Sequence, residues 1–191
     1  MARYCLLLIW LALPVCGCAT FEASGALPAG PIKVAVLDFG DSSSYKAVRD
    51  YSLVGAAGAA TPGVLVARAV RYTVARCPGQ QVMDWLDMRR KVGQNTRLAA
   101  VNDVDALDLA RKLGANAVVF GHVQKYEERW NLPFMGWATV GFTVKCLNVA
   151  GGNELWSARV EDSSMGAIEE DVAAQICARL KNYLCPAGRT R

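Results

Sequence analysis

The 191-residue chain holds a single histidine, His122. One imidazole cannot build a zinc site, and no pair of cysteines has metal-ligand spacing. No Gly-x-Ser-x-Gly elbow offers a serine nucleophile. The carboxylates are scattered, so nothing in the sequence pairs them as general acid and base. The formal net charge is only +4, with no dense Lys/Arg run and interleaved aromatics, so nucleic acid is not an expected partner. No apolar run reaches the roughly 20 residues a transmembrane helix needs. The reading is therefore of a protein without catalytic residues, metal or cofactor. A periplasmic hydrolase stays open as an alternative, on condition that a polar cleft brings paired acids or a base together.

What is present is a core. Apolar residues make up 53% of the chain and charged residues 20%, the balance of a globular domain. The organising stretch is Ala117–Glu161, read as three consecutive strands. Val140, Phe142, Val144 and Cys146 alternate with Thr139, Thr143 and Lys145, and Trp156, Ala158 and Val160 alternate with Ser157, Arg159 and Glu161. A slip of one residue would turn each set to the wrong face, so the register is well specified. Ala150-Gly151-Gly152-Asn153 supplies the positive φ that a tight hairpin demands. The first strand, opening on Val118-Val119-Phe120, turns polar after Val123.

The N-terminus reads as a targeting segment. Arg3 gives a positive start, Cys5–Leu13 is a short apolar core, and Pro14 breaks it. Val15-Cys16-Gly17-Cys18 resembles the bacterial lipobox, which implies residues 1–17 as signal peptide and diacylglycerol on Cys18. An ordinary secretory signal cut nearby is the alternative. Ala19, rather than Asp, after that cysteine implies the outer membrane. Thr20–Pro31 is Ala/Gly/Pro-rich and reads as a tether within residues 18–31, with an ordered edge segment as the other reading. One domain is expected over 32–185, then a loose tail, 186–191.

Ile32–Phe39 is a continuous apolar run and reads as a buried strand, with Asp38 structural at its corner. Gly55–Ala60 matches neither the dinucleotide fingerprint nor the P-loop. Thr61-Pro62 reads as a helix start with Thr61 capping, and Val66, Val70, Val74 and Cys77 as its inward stripe. Gln80–Asp84 reads as a short strand. Asp84 caps a helix over Trp85–Val92 whose Arg89-Arg90-Lys91 reads as a solvated basic face. Asp105 is expected to cap Ala106–Leu113, and Gly114 to end it. The last helix is expected over Gly166–Leu184, with Glu169, Glu170 and Asp171 at its start.

Export makes disulfides possible. Cys146 and Cys177 fall on apolar stripes and read as core. Cys77 and Cys185 both end helices, which makes them the candidate bridge. Tyr126, Trp130, Phe134 and Trp137 flank the link between the first two strands and form the candidate contact surface for a partner or a membrane, with a flap over the core as the alternative.

VAVLDF, LARKLGANAVVFGHV and VGFTVKCLNVAGGNELWSARV together resemble the CsgG/LpoB/PelC-like outer-membrane lipoproteins. Gly-Asn stands here where Thr-Gly is usual in the last hairpin. The resemblance covers Lys33–Val160 and the terminal helix. It implies a three-layer α/β sandwich with a mixed, mostly antiparallel sheet and flanking helices. It also implies a lipid-tethered periplasmic body, often a homo-oligomeric ring, that serves secretion or envelope assembly without catalysis. Length and the EERW…VGFTV…ELWSA run look like the PelC type, an accessory lipoprotein of exopolysaccharide export. The LpoB type, which docks on a peptidoglycan synthase, stays open. A CsgG-type channel needs membrane strands of about 9–11 lipid-facing residues. The linking segment here carries Glu127, Glu128 and Arg129 instead.

Overall fold

The alternating strands found in the sequence form the middle of one mixed sheet in the computed structural model. It describes residues 19–28, 30–43, 61–93, 96–132 and 135–186, with the side chains of 130–132 and 135 excepted. The elements run β1 Thr20–Gly25, β2 Ile32–Val36, β3 Gly40–Asp41, α1 Pro62–Ala75, β4 Gln80–Val82, α2 Trp85–Val92, α3 Asp103–Leu113, β5 Ala117–Leu132, β6 Met135–Asn148, β7 Glu154–Met165 and α4 Glu169–Leu184. The sheet order is β1-β7-β6-β5-β2-β4, with β3 on β5. The meander pairs β5–β6 and β6–β7 are antiparallel, as is β1–β7; β2 lies parallel between β5 and β4.

Two apolar clusters hold the layers together. Val34, Val36, Phe142, Val144, Trp156 and Val160 meet the α1 stripe (Val66, Val70, Val74) and the α4 stripe (Val172, Ile176, Leu180). On the other face Ala35, Leu37, Val118 and Phe120 meet Met88 of α2 and Ala106, Ala110 and Leu113 of α3. The second helical layer stops there. Beyond it the same face of β6, β7 and β1 shows Lys145, Arg159, Glu22 and Ser24 to solvent, and Ser24 and Ser157 bond across the strands at 3.0 Å. The result is an α/β sandwich of three layers over β5 and β2 and two layers over β6, β7 and β1.

Local details follow the turn and cap chemistry. Asp84 accepts from the Leu86 and Asp87 amides and starts α2. Gly152 takes φ 69° in the β6–β7 turn, a conformation costly for any side chain. Gly121 lies where a Cβ would meet the Thr143 carbonyl and the Phe39 ring.

Several sequence expectations are corrected. Asn102, not Asp105, caps α3: its side chain accepts from the Asp105 amide, and the helix starts at Asp103. Thr61 stands at the N-cap of α1 but makes no side-chain cap bond. Helix α4 starts at Glu169, because Gly166 turns at φ 74°. Thr20–Gly25, read as tether, is edge strand β1. Phe21 and Ala23 pack on the α4 side while Glu22 and Ser24 face out, and Phe21 stacks edge-on against Tyr183 at 6.1 Å. Six residues of alternation were hidden in an Ala/Gly-rich background. Gly55–Ala60, Cys18 and the tail from Ala187 lie outside the described residues.

Candidate functional site: a strand-built arm beside the N-terminal strand

The polar segment after Val123 does not end the first meander strand. β5 continues from Tyr126, its last core residue, to Leu132, a further ~20 Å at strand rise. β6 returns from Met135, and β7 joins the arm at its far end through Trp137↔Met165 and Thr139↔Ser163. One face of this arm carries Lys125, Glu127 and Arg129 beside Trp137, Thr139, Glu161 and Ser163. Lys125 reaches Glu161 at 2.5 Å, Arg129 reaches Glu127 at 3.1 Å, and the Thr139 and Ser163 hydroxyls meet at 3.0 Å. Lys and Arg stems thus lie over a β surface otherwise open to water.

The four candidate contact residues divide. Tyr126 is only 2% exposed and belongs to the core, so it is not a contact residue. Its place follows from the register shift between Val123 and Lys125: past this bulge Tyr126, three residues on, shares a face with Val123, Ala138 and Val140, which α1 and α4 cover. Trp137 is half-buried at the arm, opposite Met165, which is 49% exposed. The Trp130 side chain and all of Phe134 lie outside the described residues. Ile168, 39% exposed just before α4, adds apolar surface at the same end.

The parallel strands end at a charged corner. Asp38 follows β2 and is 8% exposed. Its carboxylate faces the guanidinium of Arg71 at 4.0 Å and that of Arg89 at 3.7 Å. Arg71 donates to the Val36 carbonyl at 2.9 Å, and Arg89 lies over the Trp85 ring at 4.8 Å and donates to the Thr96 carbonyl. Burial pulls the Arg71 guanidinium below the usual arginine range, and the Asp38 and Asp84 carboxylates push it back. The basic run after Trp85 is therefore not one solvated face. Arg89 turns inward to Asp38, Arg90 pairs with Asp87 at 3.1 Å, and Lys91 donates to the Leu113 carbonyl at 3.0 Å.

His122 Nε2 lies 2.8 Å from the Ser42 hydroxyl. The pair is exposed at the β3–β5 seam, and among the described residues no carboxylate is hydrogen-bonded to the other ring nitrogen. A nucleophile–base pair needs that orienting group and a place for an oxyanion. Among the described residues no group of three or more His, Cys, Asp or Glu is placed to hold a metal. None of the described helices is long and apolar enough to cross a membrane.

Cys77 and Cys185 are joined by a disulfide, with Cα atoms 5.5 Å apart, at the ends of α1 and α4 remote from the arm. Cys146 and Cys177 are free and buried. Burial pushes the Cys146 thiol up to about 12, against a smaller opposing contact from Trp156, and the Cys177 thiol up to about 11, against Thr73. Both stay neutral and serve as small apolar groups.

No protein-family sequence model matches the chain, and no curated protein matches it in sequence. Solved structures do match in shape. A PelC dodecamer from Paraburkholderia phytofirmans is 19% identical, with a TM-score of 0.60, covering 87% of this chain and 98% of that one. A second PelC dodecamer structure from the same organism gives 20% identity and a TM-score of 0.57, covering 88% and 99%. The lipoprotein GNA1162 from Neisseria meningitidis is 19% identical, with a TM-score of 0.54, covering 80% and 96%. At this identity the likeness speaks for the fold, and it spans nearly the whole of each of those chains. The protein therefore has a PelC-like α/β sandwich fold, shared with the GNA1162 lipoprotein and built on a mixed sheet that ends at its N-terminal strand.

Proposed function

We propose that this protein is an outer-membrane lipoprotein, acylated on Cys18, that acts without catalysis as an oligomeric accessory factor in envelope assembly or polymer export. The observation that carries this reading is the register of β1. Thr20 pairs with Glu161, so the chain enters the sheet at the arm end. Cys18 stands two residues before Thr20 and lies within ~7 Å of it by backbone length alone. An acyl group on Cys18 would therefore bring the arm end to the bilayer surface, with Trp137, Met165 and Ile168 on that side. Trp at a membrane interface sits with its ring among headgroups. Acyl chains add about 0.8 kcal/mol per buried CH₂ and hold the body firmly. A strand in place of a flexible tether also limits how the body can tilt. The dodecamers formed by the two PelC structures support an oligomer for this chain too.

Cys18→Ala is expected to abolish palmitate labelling and to move the protein from the membrane to the soluble periplasmic fraction. Unchanged membrane association of that variant would reject the anchor. In detergent the lipidated protein is expected to show a ring-sized native mass. A strict monomer at high concentration would reject the oligomer and favour a one-to-one regulator of a cell-wall enzyme.

A further inference from the structure

Helices α1, α2, α3 and α4 all end at the pole of the molecule opposite the arm, and a chain of contacts closes that pole. The disulfide joins the ends of α1 and α4. The Gly79 carbonyl, just past α1, accepts the Ile32 amide at the start of β2 at 2.9 Å. Asn116, just before β5, donates its amide to the Lys33 carbonyl at 2.8 Å, and its carbonyl accepts from the Val149 amide of the β6–β7 turn at 2.9 Å. Lys91 at the end of α2 donates to the Leu113 carbonyl at the end of α3 at 3.0 Å. At strand rise, β7 (Glu154–Met165) sets this pole roughly 35 Å from the arm end.

Five elements each bring one cation to this pole that is in no ion pair among the described residues: Lys33, Arg76, Lys91, Lys112 and Lys181. Lys33 is half-buried and the other four are exposed. Arg76 stacks over the Tyr72 ring at 3.9 Å, and that ring is 59% exposed. The carboxylates nearby are mostly engaged. Asp87 pairs with Arg90 at 3.1 Å and Asp108 with Arg111 at 2.7 Å. Asp84 caps the opposite end of α2. Glu154 at the start of β7 is exposed and unpaired. Each helix end presents about half a negative charge, so the four ends offset about two of the five cations. A positive excess therefore stays at the pole after pairs and helix ends are counted.

We propose that this pole docks on the carboxylate-bearing peptide stems of the cell-wall polymer. The placement rests on the lipid-anchored reading given above: with the arm end at the bilayer, the pole faces away from the membrane and towards the wall. Peptide stems carry free carboxylates repeated along a polymer. Cations on five separate elements meet such a repeat at several points, whereas a single acidic side chain would reach only one of them. Four of the five are lysines, compact charges on flexible stems that follow a mobile polyanion without demanding one fixed geometry. A single exposed contact is weak, so binding comes from several together and falls as salt rises. The exposed Tyr72 ring beside Arg76 adds a flat apolar surface to the polar contacts.

The test sediments lipidated full-length protein in detergent with purified wall sacculi at about 150 mM salt, where charges beyond about 8 Å are screened. The wild type is expected to co-sediment, and sacculi whose carboxylates have been amidated are expected to lose it. Arg76→Gln, Lys112→Gln and Lys181→Gln in one chain are expected to weaken binding about tenfold or more. Arg68→Gln, Arg97→Gln and Arg159→Gln remove the same net charge from exposed positions away from the pole, and binding is expected to stay within about twofold. Unchanged circular dichroism and Tm verify that both variants are folded. Absence of co-sedimentation would overturn the proposal, as would equal losses in the two variants or full binding to amidated sacculi. Capture by phosphatidylglycerol vesicles but not by sacculi would likewise overturn the wall assignment. Palmitate labelling reads the anchor separately: a labelled protein that ignores sacculi removes the contact and leaves the anchor standing. An unlabelled wild type removes the anchor, and co-sedimentation still decides the contact.

Discussion

Replacing both Cys77 and Cys185 by alanine removes a covalent link between the ends of α1 and α4. The two positions are 108 residues apart in sequence, so the bond closes a long loop of the unfolded chain. In the chain-entropy description a loop of that size loses about 4.7 kcal/mol of unfolded-state freedom. The folded state gains little from the bond, because α1 and α4 already pack through Val66, Val70, Val74, Ile176 and Leu180. Measured losses for native disulfides run at about 2–4 kcal/mol. For a domain of this size each kcal/mol is worth roughly 2–4 °C in Tm, so a fall of roughly 5–15 °C is expected. Cys77 is 4% exposed, and alanine there leaves a small void that adds to the loss. The measurement is thermal and urea unfolding of the oxidised wild type, the reduced wild type and the double variant. Reduction should reproduce most of the effect of mutation, since both act on the unfolded chain. A loss below about 1 kcal/mol in both would refute the loop-closure argument.

Gly121→Ala places a methyl group against the Thr143 carbonyl and the Phe39 ring, and is expected to cost about 1–3 kcal/mol by chemical denaturation. Cys146 and Cys177 should resist alkylation in the native protein at pH 8 and react only after unfolding; rapid native labelling would contradict their burial. The sign of their pH effect follows from the same burial. The Cys146 thiol rises from its ordinary 9.0 to about 12 in the folded state. The folded chain then holds a proton the unfolded chain has lost, so stability is intact below pH 9 and falls as pH rises from 9 towards 12. Cys146→Ala should flatten that alkaline decline, read as the slope of unfolding free energy against pH.

Much of the architecture was legible along the chain. Val140 to Cys146 and Trp156 to Val160 alternate with a period of two because one face of each strand is buried under α1 and α4. Asp84 was legible as a cap because its carboxylate satisfies nearby amides, and Gly114 as a stop because it takes φ 69°. These are local relations, decided by neighbours a few residues away. The arm was legible as composition but not as extent. Lys125, Glu127 and Arg129 read in sequence as the polar outer end of the first strand, and the structure makes them one face of a strand whose other face holds Tyr126.

What the sequence by itself determined is therefore local: the periods, turns and caps, and the apolar stripes that demand a covered sheet. What only the tertiary structure decided is which surfaces meet. Thr20–Gly25 is a strand because β7 offers a free edge to pair with. Arg89 leaves its basic neighbours because Asp38, fifty-one positions earlier, lies 3.7 Å away at the strand corner. Tyr126 is interior because two helices cover that face of the arm's base. Contacts between residues far apart in the chain carry no periodicity, so the sheet had to form before they could be read.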